Sequence, residues 1–288
     1  MKRFNGIALS VAFCSLASQA ALAQTKIDTL KVQNLDEVIV KGVRAAKEAP
    51  YAVANIRKSE LKQFSCSGQE LPFLLSRTPG ILAWSENGIG TGTTYMRIRG
   101  AAGSRINVTL DGVALNSPED QTVFWANMNS YSSLLGSIQV QRGVGSSTNG
   151  DGAFGGSISM ATAAPSLTPT AEVTGSFGSY NTYHTGASFS TGLLGKHLIF
   201  DGAYHETATD GYVDGTAGRS GSYYGGLTWL GDNFKISYKN IGNFEKTGQA
   251  WNGVLGGDYN SNFTLLQDGI RTYKDMYKAG LDKFNVLT

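Results

Sequence analysis

Three histidines, His184, His197 and His205, carry imidazole groups that could bind a metal ion or haem. The alternating residues around them predict β-strands, with His197 and His205 on one face and Asp201 between them. Eight residues along a strand span roughly 27 Å, which is too far for two ligands of one ion. The sequence contains neither Cys-x-x-Cys nor His-Glu-x-x-His. We therefore predict a polar lining role for the histidines, and no catalytic residue, metal site or cofactor.

Two glycine-rich loops have the composition of phosphate-binding loops without their chemistry. In residues 145–150 the glycine spacing fits a P-loop, but Asp151 stands where that loop needs lysine, so phosphate would meet a carboxylate. Residues 88–92 lack the third glycine of a dinucleotide-binding loop, and no helix-like segment follows them. No Gly-x-Ser-x-Gly elbow occurs. The sequence therefore predicts no enzyme activity, and a secreted hydrolase is the weakest of the functions considered.

The segment that contains this glycine-rich loop, residues 136–162, is the most informative part of the chain. Alternating residues at 137–141 and 157–161 predict two β-strands on either side of the loop. Dense glycine marks backbone that turns sharply or that another surface approaches closely. Arg142 lies where the first strand ends.

Two shorter motifs precede this segment, Arg-Ile-Arg-Gly at 97–100 and Val-Thr-Leu-Asp-Gly-Val at 108–113. Together, and in this order, the three motifs resemble the plug domain of TonB-dependent outer-membrane receptors. The resemblance covers residues 36–165 and, more loosely, the rest of the chain as the beginning of a β-barrel. It implies an α+β plug, with a mixed sheet and short helices, followed by the first strands of an antiparallel transmembrane β-barrel.

The N-terminus predicts export. Lys2 and Arg3 precede an apolar stretch at 7–16, and small residues at 21–23 place signal peptidase cleavage before Gln24. The apolar stretch is too short for a membrane-spanning helix, which needs about 20 residues. We thus expect a signal peptide at 1–23 and a periplasmic tail at 24–44.

Within this tail, the strand-prone run Asp36, Glu37, Val38, Ile39 and Val40 resembles the TonB box. An exposed strand has free backbone donors and acceptors, so it can be added to the edge of another protein's sheet. The alternative is an ordinary first strand of the plug.

The plug is expected at 45–165 and the partial barrel at 166–288. Short helices are predicted at 59–64 and 68–76, and plug strands at 95–99, 107–110, 138–140 and 157–160. Beyond Pro165, alternation of apolar and polar residues predicts about five long strands. Their connections are short at 192–196 and 231–232 and long at 206–221 and 243–277, which is typical of outer-membrane barrels. Plugged transporters have about 22 strands, so we expect a longer parent protein.

The resemblance implies a role for Arg99 and Arg142, because the arginines of these two motifs pair with glutamates of the barrel wall in such receptors. Buried guanidinium groups need such partners. The glutamates would lie on strands beyond this chain, and the alternative is a solvated charge at the end of a strand. Arg97 is expected to share the face of Arg99.

The resemblance also places ligand contacts on plug loops 84–94 and 117–125 and on barrel loop 243–277. Aromatic residues beside small polar ones suit a bulky, partly apolar ligand. The candidate ligand-binding residues are Trp84, Tyr95, Phe124, Trp125 and Trp251. For Phe124 and Trp125, packing between plug and barrel is an equally good interpretation.

The predicted function is TonB-dependent import across the outer membrane of a bulky, scarce nutrient. Ferric siderophore is the first expectation, with cobalamin, haem and oligosaccharide left open. The expected partners are the TonB energy-coupling protein, outer-membrane lipid and the small-molecule ligand. Nucleic acid is not expected, since 24 basic residues nearly balance 22 acidic ones. The alternative is a secreted glycine-rich adhesin, which would favour a regular repeat, and the sequence has none.

Overall fold

A computed structural model describes residues 44–45, 50, 52–144, 153–250, 275, 278, 280 and 283. The predicted signal peptide, the TonB-box residues 36–40 and Trp251 lie outside the described residues. Among the helices that the structure describes, none has the length and apolar character needed to cross a membrane.

The N-terminal part of the described chain folds around a mixed five-stranded sheet. Its strands are β1 (Ala52–Arg57), β4 (Ile106–Leu110), β5 (Val113–Ala114), β6 (Leu135–Arg142) and β7 (Gly156–Thr162), in the spatial order β1-β6-β7-β4-β5. The β4–β7 pair is parallel and the other pairs are antiparallel. A separate hairpin consists of β2 (Ile81–Ser85) and β3 (Thr94–Ile98). The short helices are α1 (Lys58–Ser65), α2 (Leu71–Leu75) and α3 (Tyr131–Leu134).

The hydrophobic core lies between this sheet, the helices and the hairpin. Its fully buried side chains include Leu61 and Phe64 of α1, Leu75 of α2 and Ile138 of β6. Burying a side chain of this size contributes about 1.5–3 kcal/mol. The α+β fold with a mixed sheet and short helices is confirmed. The predicted strand 95–99 instead ends at Ile98, because Arg99 and Gly100 both have positive φ in a two-residue turn.

The C-terminal part of the described chain is a five-stranded antiparallel sheet in sequential order. Its strands are β8 (Thr170–Phe177), β9 (Tyr183–Ser190), β10 (Leu198–Thr209), β11 (Gly218–Leu230) and β12 (Lys235–Thr247). The five predicted strands are confirmed, but the connection predicted at 206–221 is shorter than expected. Residues 206–209 and 218–221 pair with each other, which leaves only 210–217 outside the ladder. The paired residues 206–209 and 218–221 are rich in Gly, Ser and Thr, as loops are. The backbone hydrogen bonds between β10 and β11 nevertheless continue through them.

The two faces of this sheet differ as the alternation predicts. One face exposes large apolar side chains, among them Val173, Phe177, Ile236 and Tyr238. The opposite face carries many small or polar side chains and packs against the plug. Ala203, Tyr224 and Ile241 on this inner face contact the plug's hydrophobic core. The sheet thus has one solvent- or lipid-facing side and one plug-facing side.

The histidines are arranged differently from the prediction. His184 and His205 are both buried on the inner face, and their rings stack with centroids 5.7 Å apart. His197 does not share that face. It precedes the first residue of β10, and its ring stacks 5.1 Å from that of Trp229, an exposed outer-face residue. A bridge between Leu194 and Leu198 turns the chain here, so the strand periodicity does not extend back to His197.

Candidate plug and ligand-binding site

Among the described residues, two ion pairs join the plug to the barrel strands. Asp111 and Lys239 of β12 form one, with 2.9 Å between Oδ2 and Nζ, and Lys62 and Glu172 of β8 form the other, at 2.8 Å. The first is mostly buried, since its side chains are 20% and 21% exposed, whereas those of the second are 61% and 43% exposed. The buried pair is therefore the stronger link, because water screens it less.

Local structure positions Asp111 for this contact. Asp111 and Gly112 both have positive φ in the turn between β4 and β5, as the Asp-Gly turn signal predicts. The Asp111 carboxylate accepts hydrogen bonds from the backbone N–H and the hydroxyl of Thr162, both at 2.8 Å. Lys239 also donates to the Thr162 hydroxyl, at 2.6 Å. The turn residue is thus a preorganised anchor for a lysine of the barrel wall.

The loop between β2 and β3, residues 86–93, contacts one end of the barrel strands. This end is opposite to the short connections that follow β9 and β11. The carbonyl of Asn87 accepts the backbone N–H of Tyr212 at 2.9 Å, and the Glu86 carboxylate accepts that of Ala250 at 3.1 Å. Gly92 has φ +67°, and a Cβ there would lie 2.8 Å from the Thr247 hydroxyl. Glycine is needed at this position both for the turn and for the close approach of β12.

Trp84 and Tyr95 form a stacked aromatic pair beside this loop. They are register partners in the β2–β3 hairpin, with ring centroids 5.4 Å apart and planes 20° from parallel. The guanidinium of Arg97 lies 5.9 Å from the Trp84 ring, and the Tyr95 hydroxyl donates to Glu86 at 2.6 Å. Both rings are partly exposed. The arrangement is a flat apolar surface between a cation and a carboxylate, which suits a large ring-bearing ligand.

The phenol of Tyr95 is resistant to ionisation. Burial, the hydrogen bond to Glu86 and the negative charge of Glu86 together raise the pKa of Tyr95 to about 12. Tyr95 is therefore a neutral hydrogen-bond donor at physiological pH.

The other predicted ligand residues differ in placement. Phe124 is 61% exposed, whereas its neighbour Trp125 is 6% exposed and packs in the plug core. The indole of Trp125 is buried because the 3-10 turn Trp125–Met128 directs it into the core. Of the predicted set, the structure brings Trp84 and Tyr95 together.

Arg99 and Arg142 lie near each other at the opposite end of the β2–β3 hairpin. Arg142 Nη1 donates to the carbonyl of Pro79 at 2.7 Å, and the backbone N–H of Arg99 donates to Gly80 at 2.7 Å. A Cβ on Gly143 would lie 2.9 Å from Arg99 Nη1. Neither arginine takes part in the ion pairs found among the described residues, and the buried Nε of Arg142 has no hydrogen-bond partner. Arg97 has different neighbours, since its guanidinium lies over the Trp84 ring whereas that of Arg99 lies beside Gly143.

Sequence patterns did not identify a buried carboxyl group, Glu70, that precedes α2. Burial, and secondly the charge of Glu245 on β12, raise the pKa of Glu70 well above its usual range, while a hydrogen bond from the backbone N–H of Ser130 opposes this. Within the described ranges, no three His, Cys, Asp or Glu side chains lie close enough together to hold a metal ion. A glutamate before a short apolar helix gives no sequence signal of this burial.

The family model described as the TonB-dependent Receptor Plug Domain matches residues 45–157. No curated protein matches the sequence. Among solved structures, the chain resembles the pyoverdine outer membrane receptor FpvA from Pseudomonas aeruginosa PAO1, with 16% identity and a TM-score of 0.58 over 72% of this chain and 30% of that one. It also resembles the ferric yersiniabactin uptake receptor FyuA from Yersinia pestis, with 18% identity and a TM-score of 0.54 over 70% and 33%.

A further similar structure is the copper transporter OprC, with 14% identity and a TM-score of 0.56 over 71% of this chain and 33% of that one. The chain thus spans about a third of the length of each of these structures. At these identities the similarity shows a shared fold, and the plug match shows the domain. Residues 45–157 therefore match the plug domain of TonB-dependent receptors, and this domain together with the strands that follow it has the fold of the outer-membrane receptors named above.

Proposed function

We propose that this protein imports a bulky, scarce nutrient across the outer membrane, and that the nutrient is a ferric siderophore. The observation that carries the proposal is the stacked pair Trp84–Tyr95, which lies on the plug beside the loop held by the long-connection end of the barrel strands. The names of the pyoverdine and yersiniabactin receptors with the same fold support the choice of ligand class.

Recognition in this proposal depends on the aromatic pair and its charged neighbours. The rings offer apolar contact area, while Arg97 and Glu86 flank them with opposite charges. Aromatic pairs and cation–π contacts contribute about 0.5–1.5 kcal/mol each beyond the area they bury. Phe124, exposed on the plug, and Trp251, on the proposed barrel loop, would add further ligand contacts.

Transport in this proposal requires the plug to move relative to the barrel. The TonB partner would capture residues Asp36 to Val40 by strand addition and exert force on the plug. The contacts that must break first include the Asp111–Lys239 pair and the backbone bonds from residues 212 and 213 to Asn87. These contacts lie outside the strand ladder of the barrel sheet, so breaking them leaves that ladder intact.

We also propose that Arg99 and Arg142 pair with acidic residues of the barrel wall. The unpartnered, buried Nε of Arg142 supports this, because an unpaired buried guanidinium N–H costs free energy. Two adjacent guanidinium groups attract a carboxylate more strongly than one, so a single wall glutamate could satisfy both.

Binding and uptake of radiolabelled ferric siderophores by cells that express the protein test the proposal. We expect TonB-dependent uptake, and we expect Trp84→Ala to weaken binding roughly tenfold, the equivalent of 1.4 kcal/mol. Phe154→Ala is the matched control, because Phe154 is also exposed and stacks on an arginine, Arg105, but lies at the opposite end of the plug. Equal effects of both substitutions would contradict the proposed binding surface. Uptake of copper, cobalamin, haem or an oligosaccharide in place of ferric siderophores would contradict the ligand class.

A further inference from the structure

Arg44, at the beginning of the plug, bridges two strands of the plug sheet. All three nitrogens of its guanidinium group donate hydrogen bonds to residues of β6 and β7. Nη1 donates to the Ser137 hydroxyl at 2.9 Å, and Nη2 donates to the Ser159 carbonyl at 2.9 Å. Two longer bonds join Nε to the Ser159 hydroxyl at 3.3 Å and Nη2 to the Ser137 carbonyl at 3.2 Å. One side chain thus ties the start of the plug to two adjacent strands.

The next residue, Ala45, is held by the side-chain amide of Gln139 on β6. The amide oxygen accepts the Ala45 backbone N–H at 2.7 Å, and the amide nitrogen donates to the Ala45 carbonyl at 3.2 Å. The same nitrogen donates to Oδ1 of Asn55 on β1, at 3.0 Å. Ser159 and Gln139 are only 6% and 7% exposed, so water competes little for their polar groups. Breaking these bonds leaves buried polar groups without partners, which is unfavourable.

The position of these bonds determines which strand first receives a pull on the N-terminal tail. Arg44 lies four residues beyond Val40, and β1 begins eight residues after Arg44, at Ala52. In the described sheet β1 is an edge strand whose one neighbour is β6. A pull on the end of an edge strand breaks its ladder bonds one after another. The bonds of Arg44 and Gln139 are close together, so they share the load.

We propose that Arg44 and Gln139 form an anchor through which a pull on residues 36–40 enters the plug, so that β6 and β7 are loaded before β1. This inference rests on the proposed capture of residues 36–40 by TonB. The anchor holds the tail to the plug sheet while the contacts between plug and barrel break. Without the anchor, the chain between residues 44 and 52 straightens first. Eight residues extend to at most about 28 Å, so a pull of that length is lost before β1 bears any load.

The anchor depends on the shape of the arginine side chain as well as on its charge. A guanidinium group carries five N–H donors in a fixed planar fork, whereas the ammonium group of lysine is a single compact charge. Arg44→Lys therefore keeps the charge but cannot bridge Ser137 and Ser159 in the same way. Arg44 is a positioning residue, because it acts through the strands that it holds.

Force measurements on single molecules of the intact receptor in lipid, pulled by a tag at the mature N-terminus, test the proposal. Arg44→Ala and Arg44→Lys should each lower the force of the first rupture event. Arg44→Ala combined with Gln139→Ala should delay the first rise in force by up to about 28 Å of extension.

Two matched controls should behave like the wild type in this measurement. Arg57→Ala removes an exposed arginine of β1 that is the register partner of Ser137. Asn55→Ala removes the other hydrogen bond of the Gln139 amide without touching the anchor. Equal first-rupture forces in Arg44→Ala and Arg57→Ala would overturn the proposal.

Uptake by cells separates this role from a merely structural one. Arg44→Ala should lower the maximal uptake rate, while the dissociation constant of the ferric siderophore changes less than about twofold. Full recovery of uptake in Arg44→Lys, uptake at the wild-type rate in Arg44→Ala, or an equal loss of binding and uptake would each overturn the anchor. The force measurement needs neither TonB nor nutrient. An Arg44-dependent first rupture in a protein without TonB-dependent uptake would therefore contradict the proposed function and support the anchor.

Discussion

The Asp111–Lys239 pair allows a quantitative test of how the plug is held. Asp111→Asn keeps the shape of the side chain and a residue that tolerates positive φ, but it removes the charge that Lys239 contacts at 2.9 Å. The Asn carbonyl can still accept the Thr162 N–H, but the substitution also removes the oxygen that accepts the Thr162 hydroxyl, so the lysine contact has to be isolated by a double-mutant cycle.

The expected coupling free energy between Asp111 and Lys239 follows from how exposed their side chains are. Exposed ion pairs contribute about 0–1 kcal/mol, and breaking a fully buried pair costs about 3–5 kcal/mol. Side chains that are 20% and 21% exposed lie between these limits and nearer the buried one. We therefore expect a coupling free energy of about 2 kcal/mol, which agrees with the net value of a hydrogen bond to a charged group.

The assay is a double-mutant cycle with Asp111→Asn, Lys239→Met and the double variant. The measurement is the urea concentration at which the plug becomes sensitive to protease. The cycle cancels the separate contribution of the Lys239–Thr162 hydrogen bond, because it measures only the interaction free energy between Asp111 and Lys239. Lys62→Met and Glu172→Gln form a matched control cycle, since that pair has nearly the same length, 2.8 Å, but exposed side chains. We expect a coupling of about 0.5 kcal/mol or less there. Equal coupling in both cycles would refute the argument that burial decides the strength of these links.

Three other predictions concern the proposed partner site, the aromatic pair and the arginines. Val38→Pro should abolish uptake but leave ligand binding intact, because proline removes a ladder donor; transport at the wild-type rate would contradict the TonB-box assignment. Glu86→Gln should lower the pKa of Tyr95 from about 12, as measured by ultraviolet titration against a Tyr95→Phe reference; an unchanged titration would mean that burial alone sets it. Arg99→Ala and Arg142→Ala should each loosen the plug by about 3 kcal/mol in the intact receptor if they face wall carboxylates. Losses of about 0.5 kcal/mol or less in plug-release assays would instead indicate solvated charges.

The fold class followed from the resemblance to the plug domain, whereas local sequence patterns predicted individual strands and turns. The glycine-rich segment 136–162 and the motif at 108–113 predicted plug strands and the Asp111–Gly112 turn, because φ preferences and alternation act within a few residues. The same alternation placed Lys239 on the inner face of its strand. Strand ends were less predictable. β10 and β11 extend through Gly, Ser and Thr residues, since a partner strand stabilises backbone that has no strong preference of its own.

Partners across the fold could be found only from the tertiary structure. Lys239 lies 128 residues from Asp111, and no local pattern indicates which inner-face residue meets which turn. The same holds for the stacked His184 and His205, and for Glu70 with Glu245, whose proximity depends on how the plug sits against the sheet.

The burial of adjacent residues also depends on the tertiary structure. Phe124 and Trp125 have similar sequence surroundings, yet one is exposed and the other lies in the core. The sequence by itself determined which elements form and which face of each strand is apolar, because these properties depend on neighbours within one turn or strand. The tertiary structure decided which charges meet and which polar groups lose contact with water. Those properties depend on the packing of segments that are distant in the chain.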